Sequence, residues 1–222
     1  ELVHVAEVKK TSVYDSVGVN FYIRFAGGHG GVDEILDKMS KYKKLEEFAV
    51  ANMGLKTGAD KFTDAHAKKY PDISARKGQG IYVFPKGEAE KLFGDNDFIL
   101  PWYKNSDIER YVSSTNNRDE VMFVNNKTAL DDLPAQYVTY LRQFKPILEN
   151  RGLFENGKRP WHVMQQANFG RILDNEKIVV PYRSKRNVFG YNDTPWYAAS
   201  DVYFITAKNG VLFEPYYLLG IL

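Results

Sequence analysis

Apolar residues recur at helical spacing in two long stretches. In EILDKMSKYKKLEEF (34–48), Ile35, Met39, Tyr42 and Leu45 fall on one face, with Asp33 placed to cap the start. In PAQYVTYLRQFKPILEN (134–150), Tyr137, Tyr140, Leu141, Phe144 and Leu148 form a single stripe. Asp132 is the N-cap candidate and Pro134 falls near the first helical position. Pro146, which has no N–H to donate, should bend or end that helix. Glu88 to Phe93 reads as a short helix, and EPYYLLGIL as a closing one. Strands are expected at IYVF (81–84), VMFV (121–124), KIVVPY, NVFGY and DVYFIT (201–206), with VGVNFYIRF (17–25) a further candidate before the loop GGHGG. FILPWYKNSDIERY joins an extended part to a helical turn opening at Ser106 or Asp107. Strands should concentrate after residue 175, where short connections favour antiparallel pairing. Turns fall at Gly152, Asn156–Gly157, Asn192–Asp193 and Asn209–Gly210. The sum is an α+β fold with a mixed, mostly antiparallel sheet and packed helices.

At 222 residues with 44% hydrophobic and 26% charged residues, the chain has ordinary globular composition. Its 14% aromatic content, with 15 Tyr, supplies many side chains suited to half-wet surfaces. The lack of cysteine excludes disulfides, thiol catalysis and Cys-based zinc sites. His4, His29, His66 and His162 show no metal-ligand spacing. No apolar run reaches the roughly 18 residues of a membrane span, so no membrane partner is expected. The opening ELVHVAEVKK lacks the basic and apolar regions of a secretory leader, and a cytoplasmic chain is expected. Both ends read as cuts through a longer protein.

Net charge is only +2, but it is unevenly spread. Between Arg142 and Arg186 there are ten basic residues against four acids, an excess of six, so the remainder is mildly acidic. A local anion-binding face is one reading and a solvated surface the other.

Motifs of intrinsic catalysis are missing. No two prolines are adjacent, which excludes the Asn/Asp-Pro-Pro-aromatic tetrapeptide of adenine amino-methyltransferases. FAGGHGG (25–31) has His29 where a dinucleotide loop needs glycine, and GLKTGADK lacks phosphate-loop spacing. Pro71–Asp72 is not followed by the acid-x-Lys of a nuclease, and Glu46–Glu47 and Asp131–Asp132 diverge as adjacent residues.

Three segments combine bases, amides and aromatics. NMGLKTGADK (52–61) sets Lys56, Thr57 and Lys61 around a glycine turn at Gly54 and Gly58, where a backbone can approach a polyanion. WYKNSDIERY (102–111) offers Asn105 and Arg110 beside a helical turn whose N–H groups could bind an anion; an Asp107–Arg110 pair is the structural alternative. VVPYRSKRNVFGYND (179–193) reads as a hairpin-like projection whose tip carries Arg183, Ser184, Lys185, Arg186 and Asn187. These side-chain types suit guanine, adenine and phosphate. Trp161, Tyr191, Trp196 and Tyr197, nearby in sequence, read as core.

These pieces, with YLRQFKPILENR, GKRPWHVMQQ, WYAASDVYFIT and YLLGIL, occur in an order that resembles the C-terminal specificity domain of TaqI-like and Eco57I-like adenine-N6 DNA methyltransferases of restriction-modification systems. The resemblance covers roughly 46–222; residues 1–45 look like a connector or the tail of a catalytic half. It implies a type II-like target recognition domain that grips duplex DNA from the major groove, not itself an enzyme. Methylation would belong to a missing N-terminal domain that binds S-adenosylmethionine, and family members often carry a fused nuclease. On this reading Lys56, Lys61, Arg110 and Lys185 contact phosphate, while Arg183, Arg186 and Asn187 supply specificity. A protein-protein interaction module without DNA binding is the alternative, permitted by the Tyr-rich composition.

Overall fold

The computed structural model describes residues 35, 38–94, 96–152, 159–167, 172–208, 210 and 214–221. It divides into two compact units, Glu1–Lys44 and Leu45–Leu222. In the first, Ile35, Lys38 and Met39 are helical and the chain then turns, so Tyr42 lies beyond the helix. The expected four-residue stripe is therefore broken: Leu45 belongs to a 3₁₀ turn, Leu45–Glu47, and all four side chains are exposed. The expected strand at 17–25, the cap Asp33 and the loop GGHGG lie outside the described residues.

The second unit is α+β. Its strands are β1 (Ala49–Met53), β2 (Val83–Pro85), β3 (Ile99–Tyr103), β4 (Ile108–Glu109), β5 (Tyr111–Ser113), β6 (Asp119–Met122), β7 (Lys177–Pro181), β8 (Gly190–Asn192), β9 (Tyr197–Ala198) and β10 (Val202–Ala207). Its helices are α1 (Asp64–Lys69), α2 (Glu88–Phe93), α3 (Ala135–Gln143), α4 (Lys145–Glu149) and α5 (Pro215–Ile221). Two mixed sheets form, β1-β10-β7-β8-β5-β4 and β2-β6-β3-β9. Among the described strands, β3–β9 and β5–β8 pair in parallel and the other pairs are antiparallel. Strands are densest after residue 175, as expected, with β7 to β10 inside Lys177–Ala207; β1 to β6 precede it, and short polar-flanked segments such as Ile108–Glu109 pair laterally without long apolar runs.

The α3 stripe packs as expected, with Tyr137, Leu141, Phe144 and Leu148 buried. The helix breaks at Phe144 (φ −102, ψ 6), two residues before Pro146, whose ring would collide with the Arg142 carbonyl. Asp132 is not the N-cap. Its carboxylate accepts from the Ala129 N–H at 3.1 Å inside the 3₁₀ turn Leu130–Asp132, and Pro134 caps instead. Aromatic edges join α2 and α3 to the four-stranded sheet: Phe93 meets Tyr137 at 4.5 Å, Tyr140 at 5.1 Å and Phe84 at 5.7 Å.

Alternation along β10 faces Val202 and Phe204 to this main core, while Ile205 joins Ile178, Ala49 and Leu219 of α5 on the opposite face. The strands β7 and β10 at the centre of the six-stranded sheet thus pack on both faces. Trp196 and Tyr197 are core residues, as expected; Trp196 stacks on Tyr103 at 4.6 Å. Among the described residues no helix is long and apolar enough to cross a membrane.

Candidate nucleic-acid interface

Segment 52–61 is clamped from two sides. The Gly54 N–H donates to the Val202 carbonyl at 2.8 Å, the Leu55 N–H to Ala198, and the Lys56 N–H to Gln166 at 2.9 Å. Gly54 is required there, since a Cβ would sit 2.1 Å from the Ala199 carbonyl oxygen. Lys56, on this fixed backbone, projects outward and is exposed. Thr57 does not: it is 3% exposed, donates to the Asp60 carboxylate and accepts from the Ala59 N–H at 3.1 Å. Thr57, grouped with Lys56 and Lys61 as a candidate DNA-binding residue, is therefore corrected to a structural role, because its hydroxyl is spent on closing the turn. Lys61 reaches Asp119 at 3.2 Å, and Lys104 reaches the other oxygen of that carboxylate at 3.2 Å. Burial pushes the Asp119 carboxyl up, but the two ammonium groups outweigh it and hold it below its ordinary value.

In the second segment the helical anion site does not form. A single 3₁₀ turn, Asn105–Asp107, runs straight into β4, and Asp107 itself accepts the Lys104 N–H at 2.8 Å. Asp107 pairs with Arg118 at 3.1 Å, not with Arg110. The Arg110 guanidinium instead lies 4.9 Å from the Tyr111 ring centroid, at the β4–β5 turn. Tyr111 has φ +75, a strained conformation for an aromatic residue. Its N–H donates to the Phe189 carbonyl at 2.8 Å, tying this turn to the strand region behind the third segment.

The third segment is a hairpin. β7 and β8 pair antiparallel with Lys177 opposite Asn192 and Val179 opposite Gly190. The tip, Arg183 to Asn187, is exposed. The Ser184 hydroxyl accepts from the Arg186 N–H at 3.3 Å, and Arg183 lies 5.5 Å from the Tyr182 ring centroid. Among the described residues Arg183, Lys185 and Arg186 meet no carboxylate within ion-pair distance, since the ion pairs lie elsewhere. At the base, Lys177 is 0% exposed and its ammonium donates to the Asn175 carbonyl at 2.8 Å and to Asn192 Oδ1 and the Thr194 carbonyl at 2.7 Å. Burial lowers its pKa to about 8.

All three segments line a single cleft of about 470 Å³: Met53 and Lys56 from the first, Asn105 from the second, Tyr182 and Arg183 from the third. Lys56 and Ser200 also line an adjoining cleft of about 630 Å³ that holds Thr57, Lys61 and Lys104. Ser184, Lys185, Arg186 and Asn187 stand on the exposed tip, and Arg110 on the neighbouring turn. Residues that sequence reasoning passed over are Lys104, Asp119, Tyr182, Ser200 and Asp201; only Lys104 carried a signal, as a base inside a segment already singled out. Two bases counted in the cationic excess are structural. Arg151 is 6% exposed and donates to the carbonyls of Leu148, Trp161, Val163 and Thr57. Lys177 is the other.

Among the described residues no group of three or more His, Asp or Glu is arranged to hold a metal ion. No family model and no curated protein matches the chain. Among solved structures, it is similar to the type IIL restriction-modification enzyme MmeI in complex with DNA, with a TM-score of 0.42 and 9% identity over 73% of this chain. The chain spans 20% of that enzyme's chain.

Proposed function

We propose that this chain is a sequence-reading domain for double-stranded DNA. The carrying observation is that Lys56, Asn105 and Arg183, drawn from three segments far apart in sequence, line one cleft beside an exposed hairpin tip bearing Lys185 and Arg186. A basic, partly aromatic surface with one projecting hairpin suits a polyanion whose groove admits a two-stranded ribbon. Phosphate contacts fall to Lys56, Lys61, Arg110 and Lys185, and base contacts to Arg183, Arg186 and Asn187. The sequence resemblance extends the proposal. Residues 46–222 act as the target recognition domain of a type II-like adenine-N6 methyltransferase of a restriction-modification system, and 1–45 as its connector. S-adenosylmethionine binding and methyl transfer belong to a separate domain, since this sequence lacks the Asn/Asp-Pro-Pro-aromatic tetrapeptide.

The test is duplex binding against salt concentration. The wild-type chain binds duplex DNA at low salt and weakens steeply as salt rises, with a log–log slope of about −0.9 per phosphate contact. Replacing Arg183, Lys185 and Arg186 together by alanine flattens that slope and collapses affinity. A salt-independent signal, or no binding at about 50 mM salt, counts decisively against the proposal. A protein-interaction surface is the second reading, favoured by Tyr216, Tyr217 and Ile221 exposed on α5. Binding of a protein partner that survives the triple alanine change, with no duplex binding by either protein, would establish it.

A further inference from the structure

We infer that Asp201 and Arg183 together read one G·C base pair, Asp201 accepting from the cytosine N4 amino group and Arg183 donating to guanine O6 and N7. This rests on the DNA-reading proposal above and deepens it. Both residues line the 470 Å³ cleft, with Lys56, Asn105, Tyr182 and Ser200.

Asp201 is the anomaly in that cleft. Its Oδ1 is shielded from water and has no hydrogen-bond partner among the described residues. None of the ion pairs among those residues includes it, although the same cleft holds Lys56 and Arg183. Its backbone is nevertheless fixed: the Asp201 carbonyl accepts from the Tyr182 N–H at 2.7 Å, next to the paired residues Val202 and Pro181. An idle acceptor on a held backbone is expensive to maintain and calls for a donor. Rotation about χ2, which is broad and two-fold, exchanges the two carboxylate oxygens.

The chemistry of the donor follows from the neighbours. An ionised carboxylate only accepts, and it repels phosphate, so Asp201 does not serve the DNA backbone. It suits an exocyclic amino group on a base edge. Arg183, a fork of donors lining the same cleft, suits guanine O6 and N7. Adenine offers its amino group next to its own N7 acceptor, a pattern that asparagine matches and aspartate does not. An acceptor and a guanidinium in one cleft therefore complement G·C rather than A·T. Tyr182 packs against the fork, with Arg183 5.5 Å from its ring centroid, and the Tyr203 ring lies 5.7 Å from that of Tyr182.

The experiment selects duplexes from a randomised pool with the full chain, wild type and the variants Asp201→Asn and Arg183→Ala. The expected result is one G·C position whose preference falls about tenfold in both variants, while the thermal midpoint and salt slope of Asp201→Asn stay those of the wild type. Wild-type protein is then tested on the selected duplex with N4-methylcytosine at that position, which blocks the amino group; binding should weaken by about tenfold. This arm holds even if Asp201→Asn folds poorly. Relaxation at two different positions, unchanged selection by Asp201→Asn, or indifference to N4-methylcytosine overturns the base-pair inference and leaves the DNA-reading proposal standing. Failure of the wild-type chain to bind any duplex overturns both.

Discussion

Arg151 shows how one side chain organises the loop that carries Lys56. Its guanidinium satisfies the carbonyls of Leu148, Thr57, Trp161 and Val163 and lies 5.6 Å from the Tyr82 ring centroid. Burial lowers its pKa and, acting on Tyr82, raises that phenol to about 12. A planar five-donor fork is needed to reach acceptors spread over three chain segments. Arg151→Met should strand those carbonyls and destabilise the fold by about 3 kcal/mol. Arg151→Lys should recover less than half of that; denaturant titration of the three proteins measures both, and full rescue by lysine would refute the fork argument. Charge at Arg151 was legible in the sequence, but its burial was not, because nothing local distinguishes it from the exposed Arg142. Thr57 misled for the same reason: a hydroxyl in a glycine turn can face an anion or its own Asp60, and only the fold decides.

Elements were more legible than side-chain roles wherever periodicity was strong. The α2 boundaries, the α3 stripe and the β7–β8 hairpin were all readable, since apolar spacing and turn residues agreed. The short strands β4, β5 and β9 were not, because lateral pairing defines them, whereas the equally short β2 and β8 lie in apolar runs that marked them. The hairpin also carries its own titration. Lys177 has its pKa lowered to about 8 in the fold against an ordinary 10.5. The unfolded chain therefore holds more protons between those two values, and this residue's contribution to stability rises as pH climbs from about 8 to 10.5. Lys177→Met should remove that rise and lower stability at pH 8, having left Asn192 Oδ1 and two carbonyls without their donor. Denaturant midpoints of both proteins across the window test it; parallel curves would show the ammonium is not the cause.

Across the whole second unit, distant segments are held in register by polar contacts that bridge the two sheets' connections. Asp119 is the clearest, drawing Lys61 and Lys104 together from either side. Its lowered pKa means its stabilisation is present above the ordinary carboxylate range and is lost as pH falls through the folded value. Asp119→Asn should lower stability at neutral pH by about 1 kcal/mol while freeing both lysines. Under the DNA-reading proposal, it should also tighten non-specific duplex binding severalfold at low salt, an effect that vanishes in high salt. Anisotropy at two ionic strengths decides, and weaker binding at low salt would count against Lys61 as a phosphate contact. The hairpin tip stands apart from all this bracing. Its base is nailed down by Lys177 and by the Tyr111–Phe189 bond, whereas residues 183–187 lean on little besides Tyr182. Drift at those five positions leaves the scaffold indifferent. Under the DNA-reading proposal such a tip resembles the bit of a key, which can be recut while the bow and shank keep their shape.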